Sequence, residues 1–259
     1  GGALGALLAV LAVDILGGPI HSILLFALVA SGTALLLRPP QWAGFAMVAL
    51  TFAAILLQGS SGFLEVDYRR APNKLIHSMM QGQGAMRPEF LPGLQRWDAY
   101  SRVEVLQVVT TAGPQRLVFI DGETPTSMLP MNARTPGRSA LQIEQALPAL
   151  PYRLLQPKSV LSIGSGGGYD VRVALRMGSE SIDAVEINAG VLDVVEQARE
   201  FHGDVYGQPG VQLHHAEGRQ FVRAATQRYD LVIALLAQSL AGNLKEYALS
   251  ENYLYTRQA

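Results

Sequence analysis

The chain has 259 residues, of which 49% are hydrophobic and 16% are charged, and its formal net charge at pH 7 is −1. A near-neutral chain without a run of lysine or arginine gives no electrostatic reason to bind nucleic acid, so no nucleic-acid partner is expected. The absence of cysteine excludes a disulfide framework, a thiolate metal site and a cysteine nucleophile.

The amino-terminal part is far more apolar than the rest of the chain. Up to residue 60 its only fully charged side chains are Asp14 and Arg38. Proline-containing turns separate three apolar runs, which cover residues 3–16, 19–37 and 42–57. A bilayer core about 30 Å thick needs about 20 helical residues, so about three transmembrane helices are predicted within residues 1–60.

The charges beside these runs predict an orientation in the membrane. Arg69, Arg70 and Lys74 follow the third run, whereas the preceding loop offers only Arg38. Basic residues favour the cytoplasmic side, so we expect the lipid bilayer as a partner and the downstream domain in the cytoplasm. The alternative is a buried helical hairpin in a soluble protein, which is disfavoured because helices that are apolar all round leave no face for water.

Residues 61–140 are predicted to form a small β-rich module and a linker. Residues 101–110 and 115–122 alternate apolar with polar or β-branched side chains, and the Thr-Ala-Gly-Pro segment between them is typical of a turn. A β-hairpin is therefore expected. Asp121 ends its second strand and is best interpreted as the start of an Asp-Gly turn.

From residue 141 to residue 259 the pattern of strand, turn and helix repeats. The helices are predicted at 139–155, 169–178, 189–201 and 219–226, and the buried strands at 159–164, 181–188, 211–218 and 229–236. This alternation is typical of a parallel sheet covered by helices, an α/β Rossmann-like fold. Ligands of such sheets bind at the carboxyl ends of the strands.

A glycine-rich turn, Gly-Ser-Gly-Gly-Gly, follows the first of these strands. Its glycines allow close approach of the backbone to a ligand, and the next helix offers unpaired amide groups. A dinucleotide fingerprint would need glycine where Tyr169 stands. An adenosyl sulfonium needs instead a carboxylate for its ribose hydroxyls, and Glu186 at the end of the second strand provides one. Glu217, after the third strand, is expected near the adenine. The predicted binding residues are Gly164, Ser165, Gly166, Gly168, Glu186, Glu217 and Gly218.

These segments together resemble the spermidine synthase group of class I transferases that depend on S-adenosylmethionine. The resemblance is carried by "VLSIGSGGGYDVRVAL", "AVEIN", "AEGRQFV" and "YDLVIALL", and by "LVFIDG" in the predicted hairpin. With the apolar runs and the tail "LSENYLYT", the chain is similar to bacterial membrane proteins of spermidine synthase-like sequence. The resemblance implies a class I methyltransferase-type domain, S-adenosylmethionine or its decarboxylated form as cofactor, and a bacterial inner (cytoplasmic) membrane location.

The chain departs from this group in the residues that handle the acceptor amine. The acidic residue that the group carries after the fourth strand corresponds to Leu235, and the one within its glycine turn corresponds to Gly167. The Tyr-His-Glu motif of the spermidine synthase group has no counterpart in this chain. No catalytic base can be assigned, and the polar residues expected near the site are Asp121, Asp170, Gln238 and Ser239.

Two functions remain open on the sequence alone. One is a membrane-anchored transferase that alkylates an unknown small-molecule acceptor, by methyl or aminopropyl transfer. The other is an inactive accessory subunit in a larger membrane complex. A transferase of this class has more strands than the four found here, so the domain is expected to be truncated.

Three further polar positions have simpler interpretations. His214 and His215 are adjacent on a strand and point to opposite faces, so no joint metal site is expected. Asp170 opens a helix, where it could either contact a ligand or stabilise the helix amino terminus. Asp230 precedes the fourth strand, far from its ligand-facing end, and is expected to be structural.

Overall fold

The computed structural model describes ten segments of the chain, namely residues 8, 11–13, 15–16, 18–37, 41–61, 67–81, 88–98, 101–110, 113–130 and 147–234. They fall into two compact units. The first comprises residues 1–67 with 96–101, and the second comprises residues 68–95 with 102–259.

The first unit contains two helices that pack against each other, α1 (Pro19–Leu37) and α2 (Gln41–Ser61). They coincide with two of the predicted apolar runs, and the run at 3–16 lies largely outside the described residues. Within the part of the chain that the structure describes, no helix combines the length and the apolarity that crossing a bilayer requires.

The predictions of transmembrane helices and of a bacterial inner-membrane location are therefore wrong. The predicted membrane helices also contain polar residues. Ser22, Ser31 and Gln58 are buried in this unit.

The first described elements of the second unit are a 3-10 turn (Tyr68–Arg70) and a short helix, α3 (Leu75–Gln81). A four-stranded sheet follows, whose strands lie in the order of the chain, β1 (Glu89–Trp97), β2 (Arg102–Thr110), β3 (Gly113–Ile120) and β4 (Glu123–Met128). Strand β3 pairs antiparallel with both β2 and β4. The hairpin of β2 and β3 pairs Val103 with Ile120 and Thr110 with Gly113. The structure thus confirms the predicted hairpin, and β3 starts two residues earlier than expected.

Asp121 and Gly122 form a two-residue turn between β3 and β4. Both have a positive φ, of 51° and 72°, as the hairpin turns that match strand twist require. The Asp121 carboxylate accepts a hydrogen bond of 2.9 Å from the backbone amide of Arg102. The interpretation of Asp121 as a turn residue is confirmed, and this turn begins the strand that reaches the glycine loop.

The rest of the second unit alternates helices and strands as predicted. Four strands, β5 to β8, form a parallel sheet in the order β7-β6-β5-β8. The strands are β5 (Ser159–Ile163), β6 (Ser181–Glu186), β7 (Val211–His215) and β8 (Leu231–Ile233). The helices are α4 (Leu150–Leu155), α5 (Tyr169–Arg176), α6 (Ala189–Gln197), α7 (Arg199–His202) and α8 (Gly218–Ala224).

The strand order places the glycine turn at the functional edge of this sheet. Strand β5 lies between β6 and β8, so the chain leaves β5 towards one side and later returns to its other side. Ligands of open α/β sheets bind outside the carboxyl end of the strand where the order switches in this way. Residues 164–168 directly follow the end of β5, and the apolar side chains of β5 and α5 beneath them form the core that holds the turn in place.

Candidate functional site

The glycine loop, residues 164–168, has a backbone that only glycine adopts readily. Gly164, Gly166 and Gly168 have φ values of 71°, 51° and 81°, in the left-handed region where a β-carbon is disfavoured. The three left-handed residues alternate with Ser165 and Gly167. The conformation of the loop therefore accounts for three of its four glycines.

Gly167 is explained by close packing rather than by its φ value. A β-carbon there would lie 2.7 Å from the carbonyl oxygen of Ser127 on β4, which is closer than real contacts allow. A β-carbon on Gly166 would meet the Thr126 hydroxyl at 2.6 Å, and one on Gly168 would meet Val205 at 2.5 Å. The glycines therefore let the loop pack against other parts of the second unit.

Every backbone amide of the glycine loop already has an acceptor within the protein. The amides of Gly164 and Ser165 both donate to Val185, and that of Gly168 donates to Ser165. The Gly167 amide donates to the Thr126 hydroxyl at 3.0 Å, and the Gly166 amide donates to Glu186 at 3.0 Å. The loop therefore presents no vacant set of amides with which to hold a phosphate.

Glu186 connects the glycine loop to the start of α6. Its Oε2 accepts from the Gly166 amide and its Oε1 accepts from the Asn188 amide at 2.8 Å. Asn188 in turn caps α6, because its side chain accepts from the Val191 amide. Burial raises the pKa of the Glu186 carboxyl above its ordinary value, and the amide hydrogen bonds lower it. The Glu186 residue is 6% exposed and lies at the carboxyl end of β6, as predicted.

Tyr206 holds the opposite side of the glycine loop. Its hydroxyl lies 2.7 Å from the Gly166 carbonyl and 3.1 Å from the Ser165 hydroxyl. Burial is the main cause that raises the pKa of this phenol, and the nearby carboxylates Glu186 and Asp170 raise it further. A protonated Tyr206 therefore donates to the loop and fixes its position.

Glu217 acts as the amino-terminal cap of α8. Its side chain accepts hydrogen bonds from the amides of Arg219, at 3.0 Å, and Gln220, at 2.8 Å. Gly218 is the first residue of that helix. The preceding Ala216 donates its amide to the Glu186 carbonyl at 3.1 Å, so Glu217 begins its helix directly beside the end of β6. Glu217, which the sequence predicts near the adenine, thus caps a helix in the structure.

Asp170 is a buried carboxyl in the first turn of α5, directly after the glycine loop. Its residue is 8% exposed, and burial raises the pKa of the carboxyl from 3.8 to about 6. Burial is the main cause that raises the pKa values of Tyr152 and Tyr169, and the charge of Asp170 raises both further. A carboxylate can stabilise a helix amino terminus while it is exposed to water, so that role does not explain the burial of Asp170.

The remaining candidates take part in other interactions. His214 lies 2.6 Å from the buried Asp183 and His215 contacts the Ile187 carbonyl, so the two rings have different partners. Asp230 accepts from the amides at the start of β5 and is structural.

Asp121 is also expected near the site from the sequence, but its described contacts do not bring it there. Asp121 contacts Arg102 and Tyr68. Leu235, Gln238 and Ser239 lie outside the described residues.

Three residues that the sequence does not predict as site residues also contact the glycine loop or Glu186. Thr126 and Tyr206 bind the glycine loop. Asn188 donates its amide to Glu186 and caps α6 with its side chain. Only Asn188 had a recognisable signal, since it precedes a helix as a preferred capping residue. Thr126 and Tyr206 are about 40 residues from the loop, so no local pattern marks them.

Part of the chain matches a known family model. Residues 144–253 match the spermine/spermidine synthase domain. The resemblance to spermidine synthases is thereby confirmed for this part of the chain, whereas its membrane component is not supported.

Curated relatives of this segment are polyamine aminopropyltransferases. Those of Clostridium perfringens and Alkaliphilus oremlandii are 39% and 36% identical over 77 residues, which is 29% of this chain and 27% of each relative. That of Serratia proteamaculans is 36% identical over 81 residues, 30% of this chain and 28% of the relative. The matched segment therefore spans only about a quarter of the length of these relatives.

Similar solved structures include two spermidine synthases. The enzyme from Thermotoga maritima has a TM-score of 0.38 and 22% identity, and the match covers 52% of this chain and 44% of that chain. A spermidine synthase in complex with the transition-state analogue AdoDATO has the same TM-score and identity, over 52% of this chain and 43% of that chain.

Replacement of Gly167 by alanine tests whether the glycine loop packs on β4. We expect Gly167→Ala to lower the free energy of unfolding by about 1–3 kcal/mol, because its β-carbon would overlap the Ser127 carbonyl. Gly93→Ala is the matched control, since nothing lies within 4 Å of a β-carbon there. Urea unfolding of the full chain measures both, and equal stability of the two variants would contradict this packing.

Replacement of Asp170 by asparagine tests the cost of burying this carboxylate. Its raised pKa means that the native state binds the proton more tightly than the unfolded chain, so stability is lost as pH rises from about 4 to about 6. Asp170→Asn cannot ionise and is expected to be more stable than the parent above pH 6 by about 3 kcal/mol, with little difference below pH 4. Urea unfolding from pH 3.5 to pH 8 measures this, with the exposed Glu200→Gln as control. A pH-independent difference would contradict the assignment.

Proposed function

We propose that the parallel-sheet part of the chain binds an adenosyl sulfonium, decarboxylated S-adenosylmethionine or S-adenosylmethionine, as a spermidine synthase-like transferase. The observation that carries the proposal is the combination of a buried carboxylate, Glu186, with a glycine loop whose amides all have protein acceptors. A dinucleotide needs vacant amides for its pyrophosphate. A nucleoside without phosphate needs only the carboxylate.

The Glu186 carboxylate fits the ribose of such a ligand. An ionised carboxylate has about four lone-pair sites. The amides of Gly166 and Asn188 occupy two of them, and the Ile187 amide also acts on this carboxylate. A remaining site can accept a hydroxyl group of a ribose. Because both oxygens are fixed by backbone donors, the carboxylate is already oriented before a ligand arrives.

The remaining residues of the loop would position the ligand rather than react with it. When bound, the sulfonium supplies a carbon that an acceptor's lone pair can attack, while the carbon–sulfur bond breaks and its electrons stay on sulfur as a neutral thioether. Tyr206 and Thr126 fix the loop on two sides. Proximity and orientation of this kind account for a large part of the acceleration in such displacements.

A second candidate function is nucleoside binding without aminopropyl transfer. Leu235 stands where the spermidine synthase group carries an acidic residue that holds and deprotonates the attacking amine. An alkyl side chain can do neither. The chain would then serve as an accessory protein that senses or presents the nucleoside, or would transfer a group to an acceptor that needs no base.

Titration calorimetry on the full chain tests nucleoside binding. We expect binding of decarboxylated S-adenosylmethionine or S-adenosylmethionine and none of NADH. Glu186→Gln should weaken binding about tenfold or more, because a charge-assisted hydrogen bond contributes about 1.5–3 kcal/mol and each 1.4 kcal/mol is about tenfold in affinity.

The control for this titration is Glu196→Gln, whose side chain is 67% exposed and should bind like the parent. Circular dichroism checks that Glu186→Gln keeps its fold, since Glu186 also anchors the glycine loop. If the parent chain binds neither nucleoside, or if Glu186→Gln binds as well as the parent, the proposed site is wrong.

An assay of spermidine formation separates the two candidate functions. With putrescine and decarboxylated S-adenosylmethionine, we expect little or no spermidine, because Leu235 cannot hold or deprotonate the amine. Calorimetry on the same preparation provides the control that the nucleoside is bound. Robust spermidine formation would refute the second candidate and would identify the chain as an aminopropyltransferase.

A further inference from the structure

Helix α5 carries a carboxylate where its pattern calls for an apolar residue. Asp170, Val173 and Ala174 follow the i, i+3, i+4 spacing of one helix face. Val173 and Ala174 belong to the apolar core of the parallel-sheet part, and Asp170 is nearly as buried, at 8% exposure. A charge at this point of a core-facing stripe costs stability unless another group compensates it.

No described side chain supplies that compensation. Among the described residues, none donates a hydrogen bond to the Asp170 carboxylate, and the closest cation in sequence, Arg172, donates to the His202 carbonyl instead. The titratable groups that face Asp170 are the phenols of Tyr152, Tyr169 and Tyr206. All three are neutral at physiological pH, so none balances the charge.

A second polar group beside Asp170 also lacks a partner. The Tyr152 residue is 2% exposed, and its hydroxyl has no hydrogen-bond partner among the described residues. Buried hydroxyls and carboxylates are almost always paired in native proteins. The unpaired Tyr152 hydroxyl and the uncompensated Asp170 carboxylate, which influence each other electrostatically, together indicate a place where a polar or charged ligand completes the hydrogen bonding.

This pair of groups is electrostatically connected to the glycine loop. The Tyr206 hydroxyl lies on the Gly166 carbonyl, and its phenol is influenced by Glu186 and by Asp170. Two buried carboxylates therefore act electrostatically on the same tyrosine. Glu186 is held by backbone amides, whereas Asp170 remains uncompensated.

We infer that Asp170 is the anionic group that binds the positively charged end of the ligand held by the glycine loop. The inference rests on the proposed function, because it takes the adenosyl sulfonium as the ligand. The sulfonium or its ammonium group would balance the buried carboxylate, and the Tyr152 hydroxyl would donate to the same carboxylate. Loss of stability in the free protein would then be offset by binding.

The test compares a charged and a neutral ligand that share the adenosine part. Decarboxylated S-adenosylmethionine carries the positive charges, and 5′-methylthioadenosine is the corresponding neutral thioether. By calorimetry with the full chain, Asp170→Asn should weaken binding of the first at least tenfold and of the second less than twofold. Glu200→Gln, an exposed acid, should change neither. Asp170→Asn should also raise the melting temperature of the free chain.

The pH dependence gives an independent readout. Because burial raises the pKa of Asp170 to about 6, affinity of the parent for the charged ligand should fall as pH decreases through this value, and that of Asp170→Asn should not.

The outcomes separate this inference from the proposed function. If the parent binds the thioether but Asp170→Asn weakens both ligands equally, weakens neither or fails to fold, the assignment of Asp170 is wrong while nucleoside binding stands. If the parent binds neither ligand, the proposed function and the inference both fall.

Discussion

The buried Glu186 carboxylate is the contact on which the rest of the site depends. One oxygen holds the Gly166 amide and the other holds the Asn188 amide, so a single side chain connects the loop after β5 to the helix after β6. Backbone hydrogen bonds from Gly164 and Ser165 to Val185 fix the start of the loop. The Glu186 carboxylate fixes the loop further on, at Gly166, and donors on both of its oxygens offset the cost of its desolvation.

The same constraint determines which ligands the loop can accept. A glycine-rich loop before a helix is commonly an anion site because its amides are vacant. In this chain the amides are directed to Val185, Ser165, Thr126 and Glu186, and the close approach of β4 to Gly167 leaves no room for a side chain. The loop is thus fixed from within the protein, and the carboxylate beside it remains as the polar contact for a ligand.

How far the sequence predicts this structure differs from one element to the next. The strands at Ser159–Ile163 and Ser181–Glu186 and the Asp121–Gly122 turn could be predicted, because strand periodicity and turn chemistry are local. Thr126 and Tyr206 could not, since their contacts with the loop join residues about 40 positions apart.

The apolar runs at 19–37 and 42–57 were correctly predicted as helical but wrongly assigned to a membrane, because apolarity alone does not distinguish what surrounds a helix. The role of Glu217 as a helix cap was also hidden, since a carboxylate before a helix can equally face a ligand.

The contrast between Glu186 and Asp170 carries the argument one step further. Both are buried carboxyls beside the glycine loop, and burial raises the pKa of each. Backbone amides counteract the effect at Glu186, so that residue contributes to the fold in the absence of any ligand. At Asp170 desolvation acts without such opposition, and an apolar residue at that position of α5 would extend the core without this penalty. A protein whose stability is limited retains such a group only at a cost. Asp170 lies in the first turn after the loop, and its charge acts on the Tyr152 hydroxyl, which has no hydrogen-bond partner among the described residues. This position supports the proposal that the carboxylate binds the cationic end of a ligand.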